Sequence, residues 1–227
     1  MQTAEEKILV AKRAAAAAAL RFIEPGMMLG LGTGSTASIF IELLGGSGLK
    51  VAAIASSQAS EQLARACGIP LLAADAIAAL DITVDGADEI DSNKQLIKGG
   101  GGALLKEKVL ASMSKEMVVI ADDSKLVSAL GRHSLPVEII PFAYKGIIAA
   151  LEKCGYRGNL RWDKDKRYET EQGNYIIDLI LPFPCDDPQE HDARIRSIPG
   201  VVETGFFLGI AHHIVIGYKD GSVRMVV

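Results

Sequence analysis

Short apolar runs that read as strands alternate along this chain with helix-forming stretches, and the alternation carries most of the structural information. Thr3 and Glu6 have the spacing of a capping box and open an alanine-rich helix, with Ala14 to Ala19 contributing strong helix composition, that Pro25-Gly26 stops. Residues 27–31 then read as a first strand, followed by the turn Gly32-Thr33-Gly34-Ser35-Thr36 and a helix through about 44. The unit repeats: 50–55 is a strand, 58–66 a helix, 69–72 a short strand, 82–84 the next strand, 103–112 a helix and 117–121 another strand. Such an order predicts an α/β architecture, a Rossmann-like and mainly parallel sheet with helices on both faces.

From about Gly131 the order changes. Strand 137–140, helix 144–153, strands 159–162 and 175–181, helix 188–197 and strand 201–208 give β-α-β-β-α-β, which predicts a small ferredoxin-like α+β domain. The closing runs 214–216 and 223–226 are expected to return to the first sheet or seal the junction. The expected division is therefore a Rossmann-like domain of 1–130 and 209–227 and a small domain of 131–208.

Composition narrows the classes of partner. A chain of 227 residues can bury a sizeable core. The formal net charge of −4 and the absence of a Lys/Arg block argue against a nucleic-acid surface or a polybasic membrane anchor, so an anionic substrate must be attracted locally. No stretch is long and uncharged enough to span a bilayer, and Glu5, Glu6 and Lys7 stand where a signal peptide would begin, so a cytoplasmic protein is expected. Cys67, Cys154 and Cys185 are odd in number and widely spaced, as ordinary reduced thiols are.

Two neighbouring segments concentrate the chemistry. Asp85-Gly86-Ala87-Asp88-Glu89 follows an apolar strand, so Asp85 falls at a strand's carboxyl end, where open α/β sheets place their ligands, and Gly86 permits a tight turn after it. Lys98 and the four glycines Gly99 to Gly102 feed a strong helix former in which Glu107 sits early, between Lys106 and Lys108. Peptide N–H groups and a helix N-terminus can there face a bound anion, and the same helix start favours the carboxylate form of Glu107. Carboxylates, ammonium groups and bare backbone N–H groups brought into one short stretch suit proton-transfer chemistry.

The turn after the first strand is not a dinucleotide fingerprint. That pattern would require glycine at Ser35, and the strand ending near Ala55 leads into Ser56-Ser57 where an acidic residue would hold a ribose diol. Thr33, Gly34, Ser35 and Thr36 are suited instead to a single phosphate monoester at a helix N-terminus. The histidines show no metal-ligand spacing: His133 and His191 stand alone, and the adjacent His212 and His213 would face opposite sides of a strand.

Taken in order, the motif around Gly34, Ser56-Ser57, Asp85-Gly-Ala-Asp-Glu89, Lys98-Gly-Gly-Gly-Gly-Ala-Leu104, Lys106-Glu-Lys108 and Asp122-Asp-Ser-Lys125 resemble ribose-5-phosphate isomerase type A. The resemblance extends to Leu135-Pro-Val-Glu-Ile-Ile-Pro141 and Ile198-Pro-Gly-Val-Val202, and so covers the whole chain. It implies interconversion of ribose 5-phosphate and ribulose 5-phosphate in the non-oxidative pentose phosphate pathway, without metal or nucleotide, by a homodimer or a dimer of dimers. It further implies that Glu107 is the general base and that Asp85 and Lys98 are catalytic. The implied substrate contacts are Thr33, Gly34, Ser35, Thr36, Asp85, Gly86, Ala87, Asp88, Lys98, Gly99, Gly100, Gly101 and Lys125, with Lys12 a weaker phosphate contact. The alternative is a non-catalytic sugar-phosphate sensor of the same fold, which would leave Glu107 and Lys98 idle.

Overall fold

The computed structural model describes residues 3–226. In chain order, α1 (Ala4–Ala19), β1 (Met28–Leu31), α2 (Ser35–Gly46), β2 (Ala52–Ala55), α3 (Gln58–Ala66) and β3 (Leu80–Asp85) come first. Two short strands, β4 (Glu89–Ile90) and β5 (Leu96–Ile97), precede α4 (Leu104–Met113) and β6 (Ser114–Asp122). Then come β7 (Leu135–Ile139), α5 (Tyr144–Lys153), β8 (Arg157–Leu160), β9 (Trp162–Asp163), β10 (Lys166–Arg167) and β11 (Tyr175–Ile180). The chain closes with α6 (Pro188–Arg196), β12 (Val201–Thr204), β13 (Phe206–Phe207), β14 (His213–Gly217) and β15 (Val223–Val226).

One unit comprises the described residues of Met1–Ala87, Lys106–Lys125 and Ile210–Val227. Its sheet runs β15-β14-β6-β3-β1-β2, with every pair parallel except the antiparallel β14–β15 edge. After β1 the chain moves outward to β2 and then returns to the other side of β1 as β3, so the carboxyl ends of β1 and β3 flank a topological switch point. Ala15, Ala16, Phe40, Ile41 and Leu44 pack on one face against Leu29, Leu31, Ile82, Val84, Val118, Ile120 and Val215. Leu110 of α4 covers the other face beside Ile54 and Leu80.

Helix α1 starts as its sequence requires: the Glu6 N–H donates to Thr3 Oγ1 at 3.2 Å, and the Thr3 N–H donates back to Glu6 Oε2 at 2.7 Å. Its alanines do more than favour a helix. Ala11, Ala15, Ala16 and Ala19 are fully buried, and a Cβ on Gly217 of β14 would overlap the Ala11 carbonyl oxygen and lie 3.0 Å from the Ala15 nitrogen. Only small residues on both elements allow so close a helix–sheet contact.

The second unit comprises Asp88–Leu105 and Leu126–Gly209. Its main sheet has the order β12-β7-β11-β8, antiparallel throughout, and with α5 and α6 it forms the expected βαββαβ arrangement. Residues 88–105, read from the sequence as part of the first domain, lie in this unit because β4 and β5 form a three-stranded sheet with β13. The expected strand 201–208 is thereby divided at Gly205, where a Cβ would overlap the Lys98 carbonyl. The expected strand 69–72 is reduced to one bridge, Leu71 beside Ala53.

Glu138 lies between Val137 and Ile139 on β7 and therefore on the other face of the sheet from their core. It is fully buried and accepts hydrogen bonds from Thr170 Oγ1 at 3.0 Å and Asn174 Nδ2 at 2.9 Å. Burial raises its carboxyl above the ordinary range, these hydrogen bonds oppose the shift, and the Glu203 charge adds to it.

Two outcomes are expected. Gly217→Ala should force α1 from its seat and cost about 1–3 kcal/mol in urea unfolding, and an unchanged midpoint would refute the close contact. The unfolded chain gives up the Glu138 proton at lower pH than the folded chain, so the stability this group contributes is present below the unfolded carboxyl pKa and lost as pH rises through the folded one. Glu138→Gln should therefore gain on the wild type as pH rises from about 4.5 towards 7, read as a widening gap between urea midpoints; a gap independent of pH would count against the raised pKa.

Candidate active site

At the switch point of the first unit, β1 ends beside β3 with Leu31 opposite Val84. The Gly32 N–H donates to the Val84 carbonyl at 3.0 Å, the Thr33 N–H to Asp85 Oδ1 at 3.1 Å and the Gly86 N–H to the same oxygen at 2.7 Å. Asp85 is fully buried, and its carboxylate lies so near Gly32 that any Cβ there would overlap it. Ser56 and Ser57, which follow β2, lock the turn from the other side. Their hydroxyls lie 2.7 and 2.8 Å from Thr33 Oγ1, while Ser60 Oγ donates to the Gly32 carbonyl at 2.7 Å.

Gly34 is the N-cap of α2, with φ +115° and no side-chain cap, so the first N–H groups of the helix are left for another acceptor. Lys12 Nζ of α1 donates to Ser35 Oγ at 2.9 Å. A cation, an exposed hydroxyl and an uncapped helix start thus meet at Gly34–Ser35, the donor set a phosphate monoester requires. Thr36 is buried within the first turn.

The same unit holds Glu107 and Lys125. Glu107 lies in the first turn of α4 and is buried, whereas Lys106 and Lys108 on either side are partly exposed. Lys125 closes the short turn Asp123–Lys125 that follows β6, so it too stands past a strand's carboxyl end.

In the second unit, the Asp88 N–H donates to the Ile97 carbonyl at 2.9 Å and Asp88 Oδ2 accepts the Gly100 N–H at 2.8 Å. Lys98 is buried, its N–H donates to the Gly205 carbonyl at 2.8 Å, and its ammonium lies 5.2 Å from the centre of the Phe207 ring. Gly99 and Gly102 have φ of +105° and +80°, and the Gly102 N–H closes the turn on the Gly99 carbonyl at 3.0 Å. Of the N–H groups expected to face a substrate, that of Gly100 is therefore engaged by Asp88.

Several residues acquire meaning only in three dimensions. Glu89, the last residue of the Asp85–Glu89 segment, is buried and accepts the N–H groups of Gly131 (2.8 Å) and His133. Arg161 and Tyr168 reach the carbonyls of the glycine turn. His212 accepts the Met117 N–H at 3.1 Å, His213 lies 3.1 Å from Glu116, and His191 Nδ1 lies 2.9 Å from the Tyr156 hydroxyl, all of them structural contacts. Among the described residues, no group of three or more His, Cys, Asp and Glu side chains could hold a metal ion.

Residues 52–221 match the family model described as ribose 5-phosphate isomerase A (phosphoriboisomerase A). Ribose-5-phosphate isomerase A of Protochlamydia amoebophila is 48% identical over 229 residues, covering 99% of each chain, and that of Bacillus mycoides is 44% identical over 92% of this chain and 96% of its own. Among solved structures, ribose 5-phosphate isomerase A of Methanocaldococcus jannaschii superposes with a TM-score of 0.88 at 39% identity, over 95% of this chain and 97% of its own. A D-ribose-5-phosphate isomerase in complex with phospho-erythronic acid superposes with a TM-score of 0.90 at 37% identity, over 100% of this chain and 99% of its own.

The contact between Gly32 and Asp85 can be tested by a double-mutant cycle. Gly32→Ala should cost about 1–3 kcal/mol in urea unfolding. In an Asp85→Ala background, where the overlapping carboxylate is gone, the added cost should be smaller. Strict additivity would show that the two positions do not touch.

Proposed function

The chain belongs to the ribose 5-phosphate isomerase A family, and on that premise we propose how its residues divide the work. It is an aldose–ketose isomerase that interconverts D-ribose 5-phosphate and D-ribulose 5-phosphate, a step of the non-oxidative pentose phosphate pathway. The observation that carries the mechanism is Glu107, a buried carboxylate in the first turn of a helix preceded by a glycine turn.

The reaction moves a proton between C1 and C2 of the open-chain sugar through an enediolate, so it requires a base and donors for the developing oxyanion. Glu107 is the base. Lys98 and the N–H groups of the glycine turn stabilise the enediolate oxygen, with Gly101 the better placed donor because the Gly100 N–H is held by Asp88. Asp88 and Asp85 are the groups available for hydroxyl protons during ring opening. Gly34, Ser35 and Thr36 with Lys12 hold the phosphate, Thr33 fixes their turn, and Gly86, Ala87 and Lys125 contact the sugar. The sensor reading would leave Glu107 and Lys98 without a task.

We also propose a homodimer or a dimer of dimers, working in the cytoplasm. Support for association comes from large apolar side chains exposed on the second unit, Phe142, Trp162, Ile180 and Phe183. The setting is supported by three free cysteines, of which Cys185 is pushed by burial up to about 11, and by the finding that no described helix is long and apolar enough to cross a membrane.

Purified protein mixed with ribose 5-phosphate should produce ketose absorbance. Glu107→Gln keeps the shape of the side chain but cannot take the proton, so kcat should fall by roughly 10²–10⁴ with little change in KM. Solvent-deuterium incorporation at carbon during turnover decides the assignment: a folded variant that still exchanges at the wild-type rate would rule Glu107 out as the base.

A further inference from the structure

Arg161 lies outside every motif that carries the family resemblance, yet its guanidinium is tied to the glycine turn. Its Nη1 donates to the carbonyl oxygens of Gly99 at 3.0 Å and Gly100 at 3.2 Å. On the other side of the fork, Nε donates to Asp178 Oδ2 at 2.9 Å and Nη2 donates to Asp178 Oδ1, a bidentate pair largely withdrawn from solvent. The next carbonyl, that of Gly101, accepts from the Tyr168 hydroxyl at 3.3 Å, and the Tyr168 ring lies 5.7 Å from the guanidinium. A Cβ on Gly102 would overlap that hydroxyl. Three successive carbonyls of the turn are thus held from one side by two side chains.

The peptide plane converts this into a statement about the opposite side. In a trans peptide the C=O of one residue and the N–H of the next point in opposite directions. Fixing the Gly99 carbonyl therefore aims the Gly100 N–H away from Arg161, and that N–H donates to Asp88 Oδ2 at 2.8 Å. Fixing the Gly100 carbonyl likewise aims the Gly101 N–H, which donates to no group among the described residues. A donor already polarised at its carbonyl end is also a stronger donor at its N–H end.

We propose that Arg161, braced by Asp178 and Tyr168, is a positioning residue for the isomerisation: it orients and polarises the Gly101 N–H toward the enediolate oxygen and holds Asp88 through Gly100. The inference rests on the isomerase reading above and deepens it. Because Asp178 neutralises the guanidinium, what Arg161 contributes is direction, and a lysine cannot supply it. An ammonium lacks the planar fork that meets a carboxylate on one edge and two carbonyls on another.

Wild type and Arg161→Lys are compared for kcat and KM on ribose 5-phosphate and for binding of two probes, 4-phosphoerythronate and inorganic phosphate. The carboxylate of 4-phosphoerythronate stands in for the planar, anionic enediolate. Arg161→Lys should lower kcat about 10- to 100-fold with KM within about threefold. It should weaken the phosphoerythronate at least about tenfold and leave inorganic phosphate unchanged. Tyr168→Phe, which removes one hydroxyl and leaves the Asp178 pair intact, should show the same pattern at about 3- to 10-fold and decides the matter if Arg161→Lys does not fold. An inactive wild type would overturn the isomerase reading itself. An active wild type with variants at wild-type kcat, or variants that weaken both probes equally, would overturn only the role of Arg161.

Discussion

The parallel pairing of β1 with β3 is the constraint from which the first unit's chemistry follows. Its register sets Leu31 opposite Val84, so the chain leaves β1 at Gly32 beside Asp85, the last residue of β3. With no side chain at Gly32, the carboxylate can lie against the backbone and take the N–H groups of Thr33 and Gly86 on one oxygen. A buried carboxylate without such donors would be driven towards its neutral form. The α1 packing has the same logic on a larger scale, since Gly217 and the buried alanines let a helix rest on the sheet at backbone distance.

Much of this was legible in the sequence, for reasons that can be named. A capping box at Thr3 and Glu6, strand runs bounded by glycine turns and the β-α-β-β-α-β order are local signals, and local signals survive into the structure. What the sequence did not disclose is long-range. Strands of two residues, such as β4, β5 and β13, have no periodicity to read, so 88–105 could not be assigned to the second unit before its partner at 206–207 was known. Glu89 is the clearest case: its donors, Gly131 and His133, are 42 and 44 residues away, and nothing nearby marks it as a buried acceptor.

The site divides along the same line. Residues whose chemistry is intrinsic to their type and place, such as Asp85 at a strand end or Glu107 at a helix start, could be singled out directly. Arg161 could not, because the role proposed for it is defined by Asp178 and by carbonyls 62 and 61 residues away, and an isolated arginine between two short strands is ordinary surface composition. Ser56-Ser57 lies between the two. In the sequence they argued against a dinucleotide and took part in the family motif set, with no role of their own; in the fold their hydroxyls hold Thr33.

That last contact also bears on the phosphate site proposed for the turn after β1. The Thr33 N–H is engaged by Asp85 and its hydroxyl by Ser56 and Ser57, so Thr33 serves as the hinge of the turn, and its donors are not available to an anion. Donors begin one residue later, at the uncapped start of α2, where Lys12 adds a positive charge through Ser35. A pyrophosphate would need close backbone approach along the whole turn, with glycine where Ser35 stands. In a chain with net charge −4, attraction of an anion has to be built within a few ångströms. On the proposed assignment the first unit does so by separating tasks along adjacent residues: Thr33 donates to the buried carboxylate, and Gly34, Ser35 and Thr36 receive the phosphate.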